Sequence, residues 1–377
     1  MKIASYNVEN MFLRPLALYD PATKAANEPI LQAFARLTTL LAKDSYAADK
    51  AEILSLLDTL ELLPKYDDSK WAELKEIRDW LLTDPKKPPL DVQAKGRQDW
   101  VGWVELKKGE INQTATQNTA RVMAEVDADV QVVVEVESRS ALQRFNEYVL
   151  AQVLKEQGHG QPFAHAMLVD GNDPRGIDVG LLTKAGAPIV GMRSHVDDDR
   201  LKSEPRPGHA IFSRDCIEFE VAIGSGGPPL LMLVNHLKSK RDGGDEVRKR
   251  QAKRVKEIYR DRRDEGWERI VVAGDLNDTP DSAPLHPLIA ETDLKDVSDH
   301  SGFDSDGVPG TYGSRGEKID YLLLSPALFA SIRGGGVNRK GVWRDPRSEY
   351  DWPRLQTLTD PDEAGSDHAA IWVDLDL

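Results

Sequence analysis

At 377 residues the chain is long enough to bury a sizeable core, and α/β folds of this length often form one domain, so a single domain over 1–377 carrying an insertion is the expectation. A formal charge of -14 argues against sequence-blind binding to long nucleic acid over the whole surface, which needs many phosphate contacts from Lys and Arg, while leaving room for a locally basic cleft. The single cysteine, Cys216, rules out a disulfide framework and a thiolate zinc cluster and permits a reducing compartment.

The N-terminal residues lack an apolar signal core and no run approaches membrane-spanning length, so with Met1 as the natural start the expected location is cytoplasmic. Ile3-Ala4-Ser5-Tyr6-Asn7 reads as a strand ending in an amide. From about Pro29 to Thr83 apolar residues recur at helical spacing, first Ile30, Leu31, Phe34, Leu37, Leu40 and Leu41, then Ile53, Leu54, Leu57 and Leu60, then Trp71, Leu74, Ile77, Trp80 and Leu81. Three helices are predicted, the third capped by Ser69, and its tryptophans read as core rather than as a ligand box. Lys86-Lys87-Pro88-Pro89 reads as a linker and Trp100 to Leu106 as a strand or hairpin arm, which makes 13–99 a helical insertion.

Asn118-Thr119 is expected to cap a helix through Val126, and a strand from Val130 ends at Glu135. An amphipathic helix begins near Ser138, Phe163 to Val169 is a strand, and Arg175-Gly176-Ile177-Asp178 enters another from a polar loop. Asp178 reads equally as a site residue or as the cap of a turn. Leu230 to Val234 leads into Asn235-His236-Leu237-Lys238-Ser239-Lys240. Asp245 starts a helix to about Arg263 whose many cations, diluted by Glu257 and Asp261, read as a solvated face.

Next comes Val271-Val272-Ala273-Gly274-Asp275-Leu276-Asn277-Asp278-Thr279-Pro280, a β-branched run too short for a helix that breaks into a Gly-Asp-x-Asn turn. The rigid strand fixes where Asp275 and Asn277 point, and Gly274 is expected to leave room for a ligand. Lys318-Ile319-Asp320-Tyr321 and Ser366-Asp367-His368 put polar groups at the start of two further strands. Six strand ends on one rim make a single site.

Glu135, Asp275, Asp320 and Asp367, with Asn7 and Asn277, offer hard oxygen donors and no soft ones, a set suited to Mg²⁺ or Mn²⁺. A phosphate substrate brings its own oxygens to such an ion. His236 can donate to a non-bridging phosphoryl oxygen, and His368 with Asp320 can form an acid/base or charge-stabilising pair. Arg175, Arg206, Lys238 and Lys240 are spare cations for a phosphate.

At these residues the chain resembles the endonuclease/exonuclease/phosphatase superfamily, with a DNase I-like fold. The matching segments are Tyr6 to Phe12, Val134 to Glu137, Asn235 to Lys240, Gly274 to Asn277, Lys318 to Tyr321 and Ser366 to His368, in the family's order. The resemblance implies a four-layer α/β/β/α sandwich of two mixed sheets. By the same carry-over Glu135 with Asn7 holds the metal, Asp367 is a metal or supporting ligand, Asp275 and Asn277 orient the attacking water, His236 binds phosphoryl oxygen, and Asp320 pairs with His368. Val134 stands where the family often has Gln, and Gly176 where similar repair nucleases have Tyr, which argues against an abasic-site nuclease.

The resulting expectation is a Mg²⁺-dependent phosphodiesterase of nuclease type, acting on a phosphoester substrate such as short or single-stranded nucleic acid. The runner-up is a phosphomonoesterase on a small, inositol or lipid-derived phosphate. A non-catalytic binding module would be expected to have lost some of Glu135, Asp275, His236 or His368, and none is lost. No feature points to an obligate protein partner. The insertion, leaving directly after Asn7 to Phe12, reads equally as a partial cap that narrows access to the pocket or as a stabilising side-pack remote from the site.

Overall fold

The computed structural model describes residues 1–377 except 10, 12–14, 19–23, 110–111, 159, 225–226, 241–242 and 314–315. Two compact units result, one made of Met1–Phe12 and Asn112–Leu377, the other of Leu13–Ile111.

In the larger unit the apolar runs become two mixed sheets. The seven-stranded sheet runs in the order Phe303–Asp304, Ile332–Asn338, Ala370–Leu375, Lys2–Asn7, Val130–Val136, Asp178–Thr183, His165–Leu168. The six-stranded sheet runs Lys295–Asp296, Asp320–Leu324, Ile270–Asp275, Leu230–His236, Cys216–Val221, Ile189–Arg193. Each sheet holds one parallel pair near its centre, Lys2–Asn7 beside Val130–Val136 and Leu230–His236 beside Ile270–Asp275. Strand alternation sends Ile3, Val132 and Val134 of the first sheet and Met232, Val234, Val271, Ala273 and Leu322 of the second into one shared core between the sheets. The opposite faces are covered by helices. Gln113–Val126 and the helical stretch from Arg139 to Gln157 lie on the first sheet, and Asp245–Asp264 lies on the second. The α/β/β/α layering expected from the motifs is therefore the observed one.

The smaller unit has its own core, built from Leu31, Phe34, Leu37, Ile53, Leu57, Trp100 and Val104 among others. Its helices are Lys24–Leu41 and Lys50–Thr59. The third expected helix is instead the strand Ala72–Arg78, paired antiparallel with Val101–Leu106. Ile77 and Trp80, counted as core at sequence level, are each 68% exposed. The inward face carries Glu76, whose carboxylate accepts from Leu81 N and Trp100 Nε1, so a polar residue on the buried side hid the two-residue alternation. Ser69 does cap, but at the turn into this strand, where its hydroxyl accepts from the amides of Trp71 and Ala72.

Two further expectations shift. Asn112, not Asn118, caps the helix to Val126, accepting from Ala115 N at 3.0 Å, while Asn118 is buried inside it. On Asp245–Asp264 the cations are not all solvated: Arg248 is 1% exposed, bound to Asp278, Asp245 and the Lys238 carbonyl. Among the described residues no helix is long and apolar enough to cross a membrane.

Candidate active site

The parallel strands carry Asn7, Glu135, His236 and Asp275 out at the same rim, because each sits at the carboxyl end of its strand. In the six-stranded sheet Asp275 is flanked in register by His236 on one side and Asp320 on the other. All three share a strand face with the core residues Val234, Ala273 and Leu322, so they form the next rung above the inter-sheet core.

Glu135 would point the wrong way by simple alternation. Val134 faces the inter-sheet core while Val133 and Val136 both face the helices, and the register slips between Val134 and Val136. The extra residue is Glu135, held at φ +62°, so a β-bulge turns its carboxylate inward to 3.8 Å from His236 Nε2. A non-glycine residue kept in the left-handed region at a rim of polar side chains fits backbone strain serving a site. Gly274 has a different reason from the one expected. At φ +126° a Cβ would lie 1.9 Å from the Asn235 carbonyl oxygen, so the glycine serves close strand packing rather than ligand access.

Hydrogen bonds then fix the side chains. Asp275 Oδ1 accepts from Asn277 N at 2.8 Å and Oδ2 from Asn7 Nδ2 at 3.2 Å. Asn277, at φ +56°, gives its own amide to the Leu237 carbonyl at 3.0 Å and so closes the turn. Asp320 Oδ2 accepts from Thr311 Oγ1 at 2.6 Å and faces His368 Nδ1 at 2.8 Å, while Asp320 Oδ1 is buried without a partner among the described residues. His368 Nε2 lies 3.9 Å from Asp275 and 3.7 Å from Asp367. Ser366 ties together the ends of two neighbouring strands of the first sheet, giving its hydroxyl to the Asn7 carbonyl and accepting from His368 N. The Tyr312 ring is tilted against the His368 ring at 4.8 Å between centroids.

Burial and charge set the two histidines apart. Burial drives His236 well below its ordinary value, and the positive charges of Arg214, Arg175 and His368 push the same way, so it is neutral. Burial alone would also lower His368, but the charge and hydrogen bond of Asp320, with Asp367 and Asp275, outweigh it and keep the ring cationic. Burial and then the neighbouring Asp320 carboxylate push Asp275 up to about 7.

Of the expected residues, Asn7, Glu135, His236, Asp275, Asp320, Asp367 and His368 converge. Among the described residues no hydrogen bond or ion pair joins Asp178 to this group; its carboxylate accepts from Gly171 N at 2.8 Å, as a turn cap does, and burial pushes it up to about 7. Arg175 is forked onto Asp173. Lys240 pairs with Glu317 and Asp278. Lys238 is held through its backbone, its amide on Gln251 and its carbonyl on Arg248. Arg206 is exposed, and no hydrogen bond or ion pair among the described site residues involves it. Sequence reasoning missed Thr311, Tyr312, Arg214 and the buried role of Arg248, and it quoted Ser366 within its motif without giving it a part. Ser213-Arg214-Asp215, polar residues entering the buried Cys216 strand, is the one local signal that was available.

Asp275, Asp320 and His368 each offer a ligand atom within 4.8 Å of the others, and Asn7, Glu135 and Asp367 border the same rim. With carboxylates, an amide and imidazole as donors, and one Asp320 oxygen buried and unsatisfied, the residues fit a hard divalent cation.

The profile of the Endonuclease/Exonuclease/phosphatase family matches residues 111–368, beginning where the smaller unit ends. Among solved structures, a mannosyl-6-phosphatase of Bacteroides thetaiotaomicron is similar at 15% identity and a TM-score of 0.50, over 70% of this chain and 92% of that one. An endonuclease/exonuclease/phosphatase family protein of the same organism is 16% identical, with a TM-score of 0.49 over 69% of this chain and 86% of that one. The catalytic domain of human Nocturnin with bound sulfate is 17% identical, with a TM-score of 0.46 over 70% and 87%. No curated protein sequence matches the chain. At these identities the likeness is one of fold.

Proposed function

The chain belongs to the endonuclease/exonuclease/phosphatase family of hydrolases, and from that premise we propose that it is a Mg²⁺- or Mn²⁺-dependent phosphodiesterase of nuclease type. The observation that carries this reading is Asp275, a buried carboxylate raised to about 7 with a neutral histidine 3.7 Å away on one side and a cationic one 3.9 Å away on the other. A carboxylate near neutrality can take a proton from water at physiological pH, and Asn7 and Asn277 hold it in place. His236, neutral, can donate to a non-bridging phosphoryl oxygen. His368, kept charged by Asp320, faces negative charge developing on phosphorus or on the leaving oxygen. Glu135 and Asn7, with Asp367 as a supporting ligand, are the residues that would hold the cation, which leaves the Asp275 carboxylate free for the proton and Asp320 paired with His368. Bound there, a divalent ion supplies charge neutralisation and polarises a phosphoryl oxygen.

A second reading, a phosphomonoesterase, is favoured by one feature: the guanidiniums of Arg175 and Arg214 lie close enough for their charge to bear on His236, and a dianionic ester gains more from them than a monoanionic one. The test is a hydrolysis panel of bis-p-nitrophenyl phosphate, p-nitrophenyl phosphate, plasmid, single-stranded DNA and an inositol phosphate, with Mg²⁺, with Mn²⁺ and after chelation. The expected result is turnover of the diesters that chelation abolishes. Full turnover after exhaustive chelation removes the metal assignment, and preference for the monoester selects the second reading.

A further inference from the structure

The two arginines whose charge bears on His236 belong to a second charged cluster, to which the scheme above assigns no positioning role. Arg214 stands two residues before the strand Cys216–Val221, in which Cys216 pairs with Asn235, so its side chain reaches the end of the His236 strand. Its Nη1 donates to the Leu237 carbonyl at 3.3 Å, and its Nε lies 3.0 Å from Asp173 Oδ2. Asp173 accepts from Arg175 through Nε at 2.9 Å, Nη2 at 2.7 Å and the backbone amide at 3.0 Å. Arg214 is 3% exposed. Although burial pushes the Asp173 carboxyl up, the two arginines hold it down at about 2, so the cluster is two cations sharing one anion.

The loop is shaped around this arrangement. Asn172 N donates to the Arg214 carbonyl, the Asn172 amide donates to the carbonyls of Val196 and Phe212, and Gly176 N donates to the Asp173 carbonyl. A Cβ on Gly171 would lie 2.8 Å from the Arg214 backbone. A buried guanidinium is expensive to desolvate, and a hydrophobic residue would fill the same space at less cost, so its retention calls for a use. The Leu237 carbonyl supplies a link to the chemistry. It accepts from Arg214 and from Asn277, and Leu237 N donates to the Asp275 carbonyl.

We propose that Asp173 and Arg214 are positioning residues for the phosphoryl group. Asp173 aims the Arg175 guanidinium, Arg214 locks the His236–Leu237 strand end to the Asp275 turn, and the surplus positive charge selects substrates with a second negative charge at or beside the scissile phosphorus. This rests on the phosphoester hydrolase reading.

The test compares full-length wild type with Asp173→Asn, Arg214→Lys and Arg214→Met. It measures kcat and KM on p-nitrophenyl phosphate and bis-p-nitrophenyl phosphate with Mg²⁺, and separately the affinity for inorganic phosphate from its thermal stabilisation of the protein. Asp173→Asn keeps both cations but releases their aim, so kcat falls at least about tenfold while phosphate affinity holds. Arg214→Met lowers phosphate affinity at least about tenfold and lowers the monoester-to-diester ratio of kcat/KM, whereas Arg214→Lys restores affinity without restoring kcat. A folded Arg214→Met with wild-type affinity and ratio overturns the proposal, as does Asp173→Asn with wild-type kcat. If circular dichroism shows that Arg214→Met does not fold, Asp173→Asn and Arg214→Lys decide by the same readouts. Should wild type hydrolyse neither ester, the hydrolase reading fails, and the phosphate affinities alone decide the role of the cluster.

Discussion

Thr311→Val removes one oxygen from the site and almost nothing else. The Thr311 backbone bonds to Glu317 and Ala369 do not involve the side chain and persist. What is lost is the 2.6 Å hydrogen bond to Asp320 Oδ2 and the acceptor that Asp320 N uses at 3.2 Å and Ile319 N at 3.4 Å. A hydrogen bond to a charged group is worth about 1.5–3 kcal/mol, and an amide left unsatisfied costs about 1–3 kcal/mol of stability. Because the other Asp320 oxygen has no partner among the described residues, Thr311 and His368 are what orient this carboxylate. If that orientation matters in the transition state, kcat on bis-p-nitrophenyl phosphate falls by about 10- to 150-fold. Melting temperature drops by no more than about 10 °C. Thr311→Ser, which keeps the hydroxyl, recovers most of the rate. In the background of His368→Ala the Thr311→Val change adds little further loss, since the two act through one pair. A folded Thr311→Val enzyme with kcat within about twofold of wild type, when His368→Ala alone loses at least about a hundredfold, refutes the chain from Thr311 through Asp320 to His368.

Asp275→Asn is expected to lower kcat at least about a hundredfold while raising melting temperature, because an acid driven up to about 7 by burial and Asp320 destabilises the fold once ionised; a drop in both quantities makes Asp275 structural. Away from the site, His195 bridges Asp198 and Glu218, and Arg262 forks onto Glu218. Burial opposes it, but Arg262 and His195 hold Glu218 down at about 2, below its ordinary 4.5, so its stabilisation is present above 4.5 and lost as pH falls toward 2. His195 is raised above 6.5 by Asp198 and Glu218 against the effect of burial, so its contribution is full below 6.5 and lost as pH rises through the folded value. Stability from this cluster therefore peaks between about pH 4.5 and 6.5; Glu218→Gln should flatten the acid limb of melting temperature against pH and His195→Gln the alkaline limb, and unchanged limbs reject the assignment. Replacing 13–111 by a short Gly/Ser linker should leave a folded, diester-cleaving unit, since the segment has a core of its own and Thr116 Oγ1 lies 3.3 Å from the Met11 carbonyl across the cut. Loss of cooperative unfolding rejects that independence, and the ratio of DNA to small-diester hydrolysis reads whether the insertion screens substrates.

What the sequence makes legible here follows the range of the forces involved. Each rim segment announces itself locally, as a short apolar run that stops at, or starts from, an acid, amide or imidazole, and the two mixed sheets that the runs build are those expected. The Ala72–Arg78 strand was misread because its inward Glu76 is satisfied by the Leu81 amide and by Trp100, the latter well outside the periodic window, while Ile77 faces water. The orientation of Glu135 was equally hidden, since alternation sends it to the helix side and only the slip against Asp178 turns it back. Asn7 and Asp275 are 268 residues apart, Thr311 and Asp320 only nine, yet the nearer pair was the one missed. A carboxylate or imidazole at a strand end carries chemistry in its residue type, whereas a threonine in a loop gains a role only from what it touches. The same holds for Arg214 and Arg248, whose charges look like surface until a buried partner, Asp173 or Asp278, is found for each. Residues of this second kind do not react, but they decide how rigidly the first kind is held, and catalysis that relies on preorganised charge depends on that rigidity. Chains sharing the rim motifs can therefore differ in substrate through positions that no rim motif contains, and Asp173 and Arg214 are positions of that kind in this chain.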